Sequence, residues 1–447
     1  MKRVYIHTWG CQMNEHKSEA IAGTLTQVGY EITDDPRQAD VVIFNTCMIR
    51  EKAEQKVFGK IGEIKKYREK RPGMLLGIGG CMAQALAEKL TDRSKEIDFL
   101  FGTSNADIQS LPSVIDRAWK ATDPVIGIGR PDGLQGVSFS RVSRFQAYVT
   151  ITEGCDRFCS FCIVPYTRGR LRSRPFGDIL HEVRELARHG YKEATLLGQN
   201  VDSYGTDRPE LYFTFANLLR ALAKTEIARI RFTSSHPDDI TPEVMEAIVE
   251  GPNICEHIHM AVQSGSDRIL KDMRRGYTKA EFLDRVEMAH KLIPGVNITT
   301  DIIVGYPGET EADFEETVDL VKRARFGGAF IFKYSPRPGT ISYVRYRDGN
   351  GIPDAQEQQR HLETLLNLQR SINEQENQKR IGEELTVLAE GRAKTGRGLY
   401  GRTRDNKTAV FDGPPDWIGE FVQVRVERAN AGSLYSRVLE PVEVGVA

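Results

Sequence analysis

Ile151-Thr-Glu-Gly-Cys155-Asp-Arg-Phe-Cys159-Ser-Phe-Cys162 sets three cysteines within eight residues, separated by three and then two positions, directly after an apolar run at 145–151. Three thiolates this close suit a metal or an iron–sulfur cluster, whose irons take cysteinate ligands. A cubane needs four ligands and this stretch supplies three, which leaves one iron open to a small molecule. A zinc knuckle completed by a histidine is the competing reading, and the nearest histidine is His181. Zinc favours paired thiols in two halves, a spacing not found here. The run ahead of the cysteines reads as the first of six strands, at 145–151, 194–197, 230–233, 257–262, 299–304 and 329–334. Helical patterns at 179–189, 213–224, 242–250, 279–293 and 311–324 separate them. Six βα units in about 200 residues predict a partial (β/α)6 TIM-like barrel, with the cysteines at the carboxyl end of its first strand, where barrel chemistry is found.

Toward the amino terminus, apolar runs at 4–7, 41–44, 75–78 and 99–101 alternate with helical patterns at 15–28, 51–70, 83–90 and 105–120. The alternation predicts an open parallel α/β sheet. Cys11, Cys47 and Cys81 are 36 and 34 residues apart, yet each lies just beyond an apolar run. Strand carboxyl ends of such a sheet line one crevice, so the three thiols are predicted to converge there. Gly10, Gly79 and Gly80 beside them allow close backbone approach to something bulky. Three buried structural cysteines are the competing reading. Cys255 stands alone and reads as a small buried hydrophobe. Residues 122–143 lack periodicity and read as a linker. A long polar helix at 354–380 leads into β-rich runs at 385–388, 421–426 and 436–438, predicting a small all-β barrel.

The length of 447 residues fits roughly three domains at about 150 each. Lys and Arg number 61 against 62 Asp and Glu, so a nucleic-acid partner has to be argued from local clusters. No apolar stretch reaches the roughly 18–20 residues of a spanning helix, and no signal segment opens the chain. The expectation is a cytoplasmic protein that does not enter a membrane. Seven cysteines are too few, and odd in number, for a secreted disulfide framework.

The Cys155, Cys159 and Cys162 pattern at the end of a first barrel strand resembles the radical S-adenosylmethionine superfamily, from about residue 141 to 370. The resemblance implies that these cysteines hold a 4Fe–4S cluster whose fourth iron is chelated by the amino and carboxylate groups of S-adenosyl-L-methionine. Later strand ends carry Gln199 and Asn200, Ser234 and Ser235, and Gln263 and Ser264. The stretch Thr300-Asp-Ile-Ile-Val-Gly305-Tyr-Pro-Gly308-Glu309 resembles the strand that passes the adenine in that superfamily. Gln199, Asn200, Ser234, Gln263 and Gly305 are thereby implied as cofactor contacts, although polar strand ends are also ordinary loop caps. The two triads together resemble the methylthiotransferase family. There the N-terminal triad holds a second 4Fe–4S cluster, again with an open iron, and a C-terminal β module, TRAM, completes the chain. The implied units are 1–120, a linker at 121–140, a core at 141–371 and TRAM at 374–443.

Members of that family act on tRNA adenosines or on a ribosomal-protein aspartate. Asn45-Thr-Cys47-Met-Ile-Arg50-Glu51-Lys52-Ala53-Glu54 resembles the branch acting on N6-isopentenyl-adenosine at position 37 of tRNA (the MiaB type). Arg392, Lys394, Arg397, Arg402, Arg404 and Lys407 cluster around Tyr400 with one acid, Asp405. Such a cluster fits phosphate contact, or a merely solvated turn. Pro165-Tyr-Thr-Arg168-Gly-Arg170-Leu-Arg172-Ser-Arg174 alternates four arginines along what reads as an extended face. They could grip phosphates or pair with barrel carboxylates. The resemblance implies insertion of a methylthio group at carbon 2 of the modified adenine, two S-adenosylmethionine molecules per turnover, an anticodon stem-loop as partner and an external low-potential electron donor. A ribosomal-protein methylthiotransferase and a zinc-stabilised, non-catalytic RNA-binding protein are the alternatives.

Overall fold

The computed structural model describes residues 1–48, 51–129, 136–211, 213–349, 351–394, 396 and 398–442. Six parallel strands form the N-terminal sheet: β1 (Arg3–Thr8), β2 (Glu31–Ile32), β3 (Val41–Thr46), β4 (Leu75–Gly80), β5 (Phe99–Phe101) and β6 (Val125–Gly127), in the order β2-β1-β3-β4-β5-β6. All of β3 is buried because helices cover both faces. Val41 and Ile43 join one core with Ile21, Leu25 and Phe99, while Val42 and Phe44 join the other with Ile61 and Ile64. Gly77 and Gly79 admit the rings of Phe99 and Phe101, which a Cβ would strike at 2.1 and 2.0 Å.

Two readings of this region are corrected. Residues 122–143 are not all linker, since β6 pairs with β5; three residues ending at Gly127 are too short to show a period. The helical pattern at 83–90 is two short helices, Cys81–Leu86 and Glu88–Arg93, broken at Ala87, where φ is 30°.

The central unit holds β7 (Gln146–Thr150), a two-residue ribbon of β8 (Thr152–Glu153) and β9 (Arg172–Ser173), then β10 (Glu193–Leu197), β11 (Arg229–Phe232), β12 (His257–His259), β13 (Asn297–Val304) and β14 (Gly328–Lys333). β7-β10-β11 and β12-β13-β14 are parallel sheets, joined by single bridges at Ile230↔Ile254 and Ser235↔Met260, while a bridge at Gln263↔Ile302 extends the second sheet beyond β12. Among the described residues nothing pairs β14 with β7, so the wall is a partial barrel of six strands, as expected. The apolar run at 257–262 leaves the ladder after His259.

Helix Ala355–Gln378 leads to the closed β-barrel of β15 (Glu384–Arg392), β16 (Leu399–Thr403), β17 (Thr408–Phe411), β18 (Phe421–Ala429) and β19 (Leu434–Val442). The barrel closes through a parallel pairing of β17 with β19. It stops the amino-terminal end of the central barrel, opposite the cysteines. Arg229 donates to the carbonyls of Arg402 (2.8 Å) and Thr386 (2.7 Å). Arg231 donates to those of Arg404 and Thr403 (both 2.7 Å) and to Glu193 Oε2 (2.8 Å). From the other side Arg404 pairs with Glu256 (2.6 Å), and Lys407 Nζ donates to Gly327 O (2.9 Å).

Arg229→Met and Arg231→Met should each loosen the terminal barrel, because a charged donor to buried carbonyls contributes about 1.5–3 kcal/mol. Amide exchange in β16 and the turn after it should rise tenfold or more, with Arg231→Met the worse since it also strands Glu193. Unchanged protection in both variants would refute the docking role.

Candidate metal centres

β1, β3 and β4 are neighbours, and a cysteine follows each: Cys11 three residues past Thr8, Cys47 next to Thr46, and Cys81 next to Gly80. The convergence inferred from spacing is what parallel register produces. Side-chain and main-chain hydrogen bonds lace the three loops together. Asn45 Nδ2 donates to Asn14 O (2.8 Å), Thr46 Oγ1 to Gly79 O (2.7 Å), and Trp9 N to Asn45 O (2.9 Å). Gly10 has a φ of +136°, and a Cβ there would lie 2.6 Å from Cys47 Cβ, so the Cys11 and Cys47 loops approach only over a glycine. Cys11 caps helix Gln12–Gln27. Cys11 is exposed, and its thiol is brought down to about 5, first by a hydrogen bond with the Cys47 thiol; partial desolvation of the sulfur opposes the shift, and Arg168 and the N–H groups of Asn14 and Met13 reinforce it.

In the barrel triad Gly154 (φ +79°) passes so close to the 169–170 backbone that a Cβ would meet Arg170 O at 2.1 Å. Cys155 N donates to Gly169 O (3.2 Å) and Cys162 N to Cys159 O (3.0 Å). Phe158 takes the left-handed conformation (φ 47°) that lets the loop double back. Buried Arg275 donates from Nη1 to Cys159 Sγ (3.2 Å). Burial, and then the Cys159 charge, push Cys162 up to about 12, and burial also raises Cys155. These thiols need more positive charge than one guanidinium to ionise together, and cluster irons would supply it. The glycine-cleared cysteine loops likewise fit a thiolate-bound centre in the N-terminal sheet.

The five implied cofactor positions divide into two kinds. Gln199 Oε1 accepts from Gly154 N (2.6 Å) and so holds the cysteine loop. Asn200 is buried, donating to Asp239 (2.5 Å) and accepting from His236 N (3.2 Å). Ser234, Gln263 and Gly305 instead bend the backbone, with φ of 69°, 74° and 69°. Two left-handed non-glycine residues at successive strand ends are a cost of about 1–3 kcal/mol each, of the kind that clusters at working sites.

Of the two extended-arginine readings, internal pairing describes Arg168, Arg172 and Arg174, while Arg170 makes its ion pair at the exposed surface. Arg170 pairs with Asp156 (2.6 Å) and Arg174 with Glu182 (2.7 Å). Arg172 donates to Arg168 O (3.2 Å), and Arg168 is buried against Asn14 Oδ1 (3.1 Å). The basic cluster divides as well. Arg404 and Lys407 dock the terminal barrel, Arg402 donates to Asn406 Oδ1 (3.0 Å), and Arg392 and Lys394 are exposed. Arg397 and Arg50 lie outside the described residues. Cys255 is buried, as expected of a small hydrophobe. Arg168 and Arg275 as partners of the cysteine centres escaped the sequence: Arg275 stands in no distinctive local pattern, and the alternation around Arg168 points to phosphates or carboxylates rather than to thiols.

A chamber of about 530 Å3 runs between the three units. Thr8 and Gln12 beside Cys11, Tyr148 and His257 of the central barrel, and Glu390 and Arg402 of the terminal one all line it.

Fold and cysteine loops together define a radical S-adenosylmethionine enzyme, a family that uses a 4Fe–4S cluster and S-adenosylmethionine. Residues 149–321 match the Radical SAM superfamily, residues 3–102 match Uncharacterized protein family UPF0004, and residues 378–439 match the TRAM domain. The fold resembles that of the radical S-adenosylmethionine methyltransferase TsrM from Kitasatospora setae, with a TM-score of 0.54, 13% identity and 78% of each chain covered. It also resembles cobalamin-dependent OxsB, with a TM-score of 0.51, 14% identity and coverage of 77% of this chain and 55% of that one. Relatives named tRNA-2-methylthio-N(6)-dimethylallyladenosine synthase are far nearer in sequence. That of Carboxydothermus hydrogenoformans is 44% identical over 434 residues, covering 95% of this chain and 96% of its own. That of Syntrophomonas wolfei is 45% identical over 437 residues, with 97% of each covered. The chain belongs to the tRNA-2-methylthio-N(6)-dimethylallyladenosine synthase family. These relationships favour neither the ribosomal-protein nor the zinc-module alternative.

Asp202, next to these strand ends, is buried, and burial, opposed by a hydrogen bond with the Ser235 side chain, raises it from 3.8 to about 8. A carboxyl raised on folding contributes stability below its unfolded value, and that contribution is lost as pH rises toward the folded one. Stability should therefore fall between about pH 4 and 8, and Asp202→Asn should flatten the slope in denaturant titrations. An unaltered slope would show that Asp202 is ionised in the folded protein.

Proposed function

We propose that this protein inserts a methylthio group at carbon 2 of N6-dimethylallyl-adenosine at position 37 of tRNA. The observation that carries this reading is the pair of separate cysteine centres, each at strand carboxyl ends, in a chain that matches its named relatives almost end to end. Cys155, Cys159 and Cys162 would hold one 4Fe–4S cluster, and Cys11, Cys47 and Cys81 a second. When bound, the two supply reductive cleavage of S-adenosylmethionine and the sulfur that is transferred.

An aromatic C–H offers no acidity that a side-chain base could exploit, so the chain's own residues bind, orient and exclude water. Ser234, Gln263 and Gly305 shape the backbone for S-adenosylmethionine, with Gln199 and Asn200 fixing the loops around it. The chamber is spacious enough for a substituted purine, provided the base leaves the anticodon-loop stack, a cost that is small for a partly unstacked loop nucleotide. Exposed Arg392 and Lys394, with Arg397 and half-buried Arg402, would meet phosphates of the anticodon stem-loop. The N-terminal unit would run to Gly127, the core over 141–371 and TRAM from 374. A low-potential donor outside the chain would supply electrons, and tRNA as substrate assigns the protein to the cytoplasm. Among the described residues no helix is long and apolar enough to cross a membrane.

The direct test is nucleoside mass spectrometry of tRNA from cells lacking the gene, which should hold dimethylallyl-adenosine without its methylthio group. Cys159→Ala should abolish 5′-deoxyadenosine production under reducing conditions. Cys47→Ala should still yield it yet transfer no methylthio group; transfer at a substantial rate would make the first triad structural.

Neutralising Arg392 and Lys394 should reduce the salt dependence of tRNA binding, by about 0.7–0.9 in slope per lost phosphate contact. Cleavage of S-adenosylmethionine without tRNA should persist. An unchanged slope would mean that both side chains are only solvated.

A further inference from the structure

Each cysteine centre faces one buried guanidinium, and the central barrel supplies both. Arg275 serves the barrel's own triad. Arg168 stands six residues after Cys162, at the end of helix Val164–Thr167, but its side chain reaches Asn14, three residues past Cys11, and a cavity it shares with Gly80, next to Cys81. Arg168 is 5% exposed. Its Nη2 donates to Asn14 Oδ1 (3.1 Å), and its Nη1 is buried. Cys81 and Cys11 lie beside this guanidinium, with the Cys81 side chain in hydrogen-bonding reach of it.

The backbone here is held from both sides. Thr103 Oγ1 of the N-terminal unit donates to Thr167 O (3.0 Å), and Cys155 N donates to Gly169 O (3.2 Å). Lys17, the other buried cation of this junction, is committed to Glu153 and to Asn105 Oδ1 (2.6 Å). The cavity beside Arg168, lined also by Asn14, Asn45 and Gly80, measures about 10 Å3, too little for a hydrated counter-ion. Three thiolates around a 4Fe–4S core leave a net negative charge, and a buried charge requires a partner.

We propose that Arg168 is the positioning residue of the N-terminal centre: its buried guanidinium donates to a sulfur of the cluster held by Cys11, Cys47 and Cys81. The core domain thus sets the charge balance of a cluster whose ligands all belong to another domain. This rests on the first triad holding a cluster, as proposed above. Hydrogen bonds and positive charge at cluster sulfurs favour the reduced form, so losing them lowers the potential.

The test uses the full-length chain with Cys155, Cys159 and Cys162 all changed to Ala, reconstituted anaerobically so that iron binds only at the first triad. Absence of about four irons per chain would sink the two-cluster reading itself. With iron present, Arg168→Gln should shift the one-electron reduction equilibrium at least tenfold toward the oxidised form, about 59 mV lower in an EPR-monitored titration. Arg168→Lys, which keeps the charge, should recover part of that shift. Should Arg168→Gln lose its iron, retention by Arg168→Lys at an intermediate potential still supports the role. Wild-type iron and potential in both variants would overturn it. So would loss of iron in both with the fold intact, since Arg168 would then be structural.

Discussion

One buried ion pair joins the parts that have to cooperate. Lys17 lies on the helix capped by Cys11, and Glu153 lies two residues ahead of Cys155; the two side chains meet in a salt bridge, 7% and 3% exposed. Burial works to raise the Glu153 carboxyl, but Lys17 and then Arg168 overcome it and hold it below its usual range. Removing either partner of such a pair leaves an uncompensated charge, a loss of about 3–5 kcal/mol. The junction therefore closes fully or costs heavily, and the two cysteine loops inherit their mutual orientation from it. Glu19 extends the seam, accepting from Val142 N (3.1 Å) as the chain enters the central barrel.

The two ends of the central barrel are treated differently. At the carboxyl end the buried Lys17–Glu153 pair stands among mixed contacts, side chain to side chain from Arg168 to Asn14 and side chain to main chain from Thr103 to Thr167 O. At the amino end Arg229 and Arg231 reach past other side chains to the main-chain carbonyls of the terminal barrel. Carbonyl recognition depends on backbone shape rather than on which residues occupy the turn. Arg404 and Lys407 return the gesture, toward Glu256 and Gly327 O, so basic residues cross this boundary in both directions.

How much of this was legible in the sequence depends on the range of the interaction. The barrel triad is local, and its spacing alone pointed to a thiolate-bound centre. Cys11, Cys47 and Cys81 were legible because parallel strands with helical connections put equivalent chain positions at one edge. β6, β16 and β17 were missed as strands, being three to five residues long and interrupted or bounded by glycines. The arginines failed for another reason. Alternating Arg-x-Arg suits a phosphate ribbon and a set of internal carboxylates equally, and only Asp156, Glu182 and Asn14, each brought in from elsewhere in the chain, distinguish them. The same holds for the 392–407 cluster, where exposed Arg392 and committed Arg404 look alike as letters.

The gap between β7 and β14 has a topological consequence. A wall closed all the way round is a loop in the mathematical sense, and a polymer can reach its interior only by threading a free end or folding double through a mouth. A wall with a slit is no longer such a loop. Among the described residues the wall pairs as an open series from β7 to β14, so a continuous strand would need neither a free end nor a doubled-back loop to present one unit to its interior.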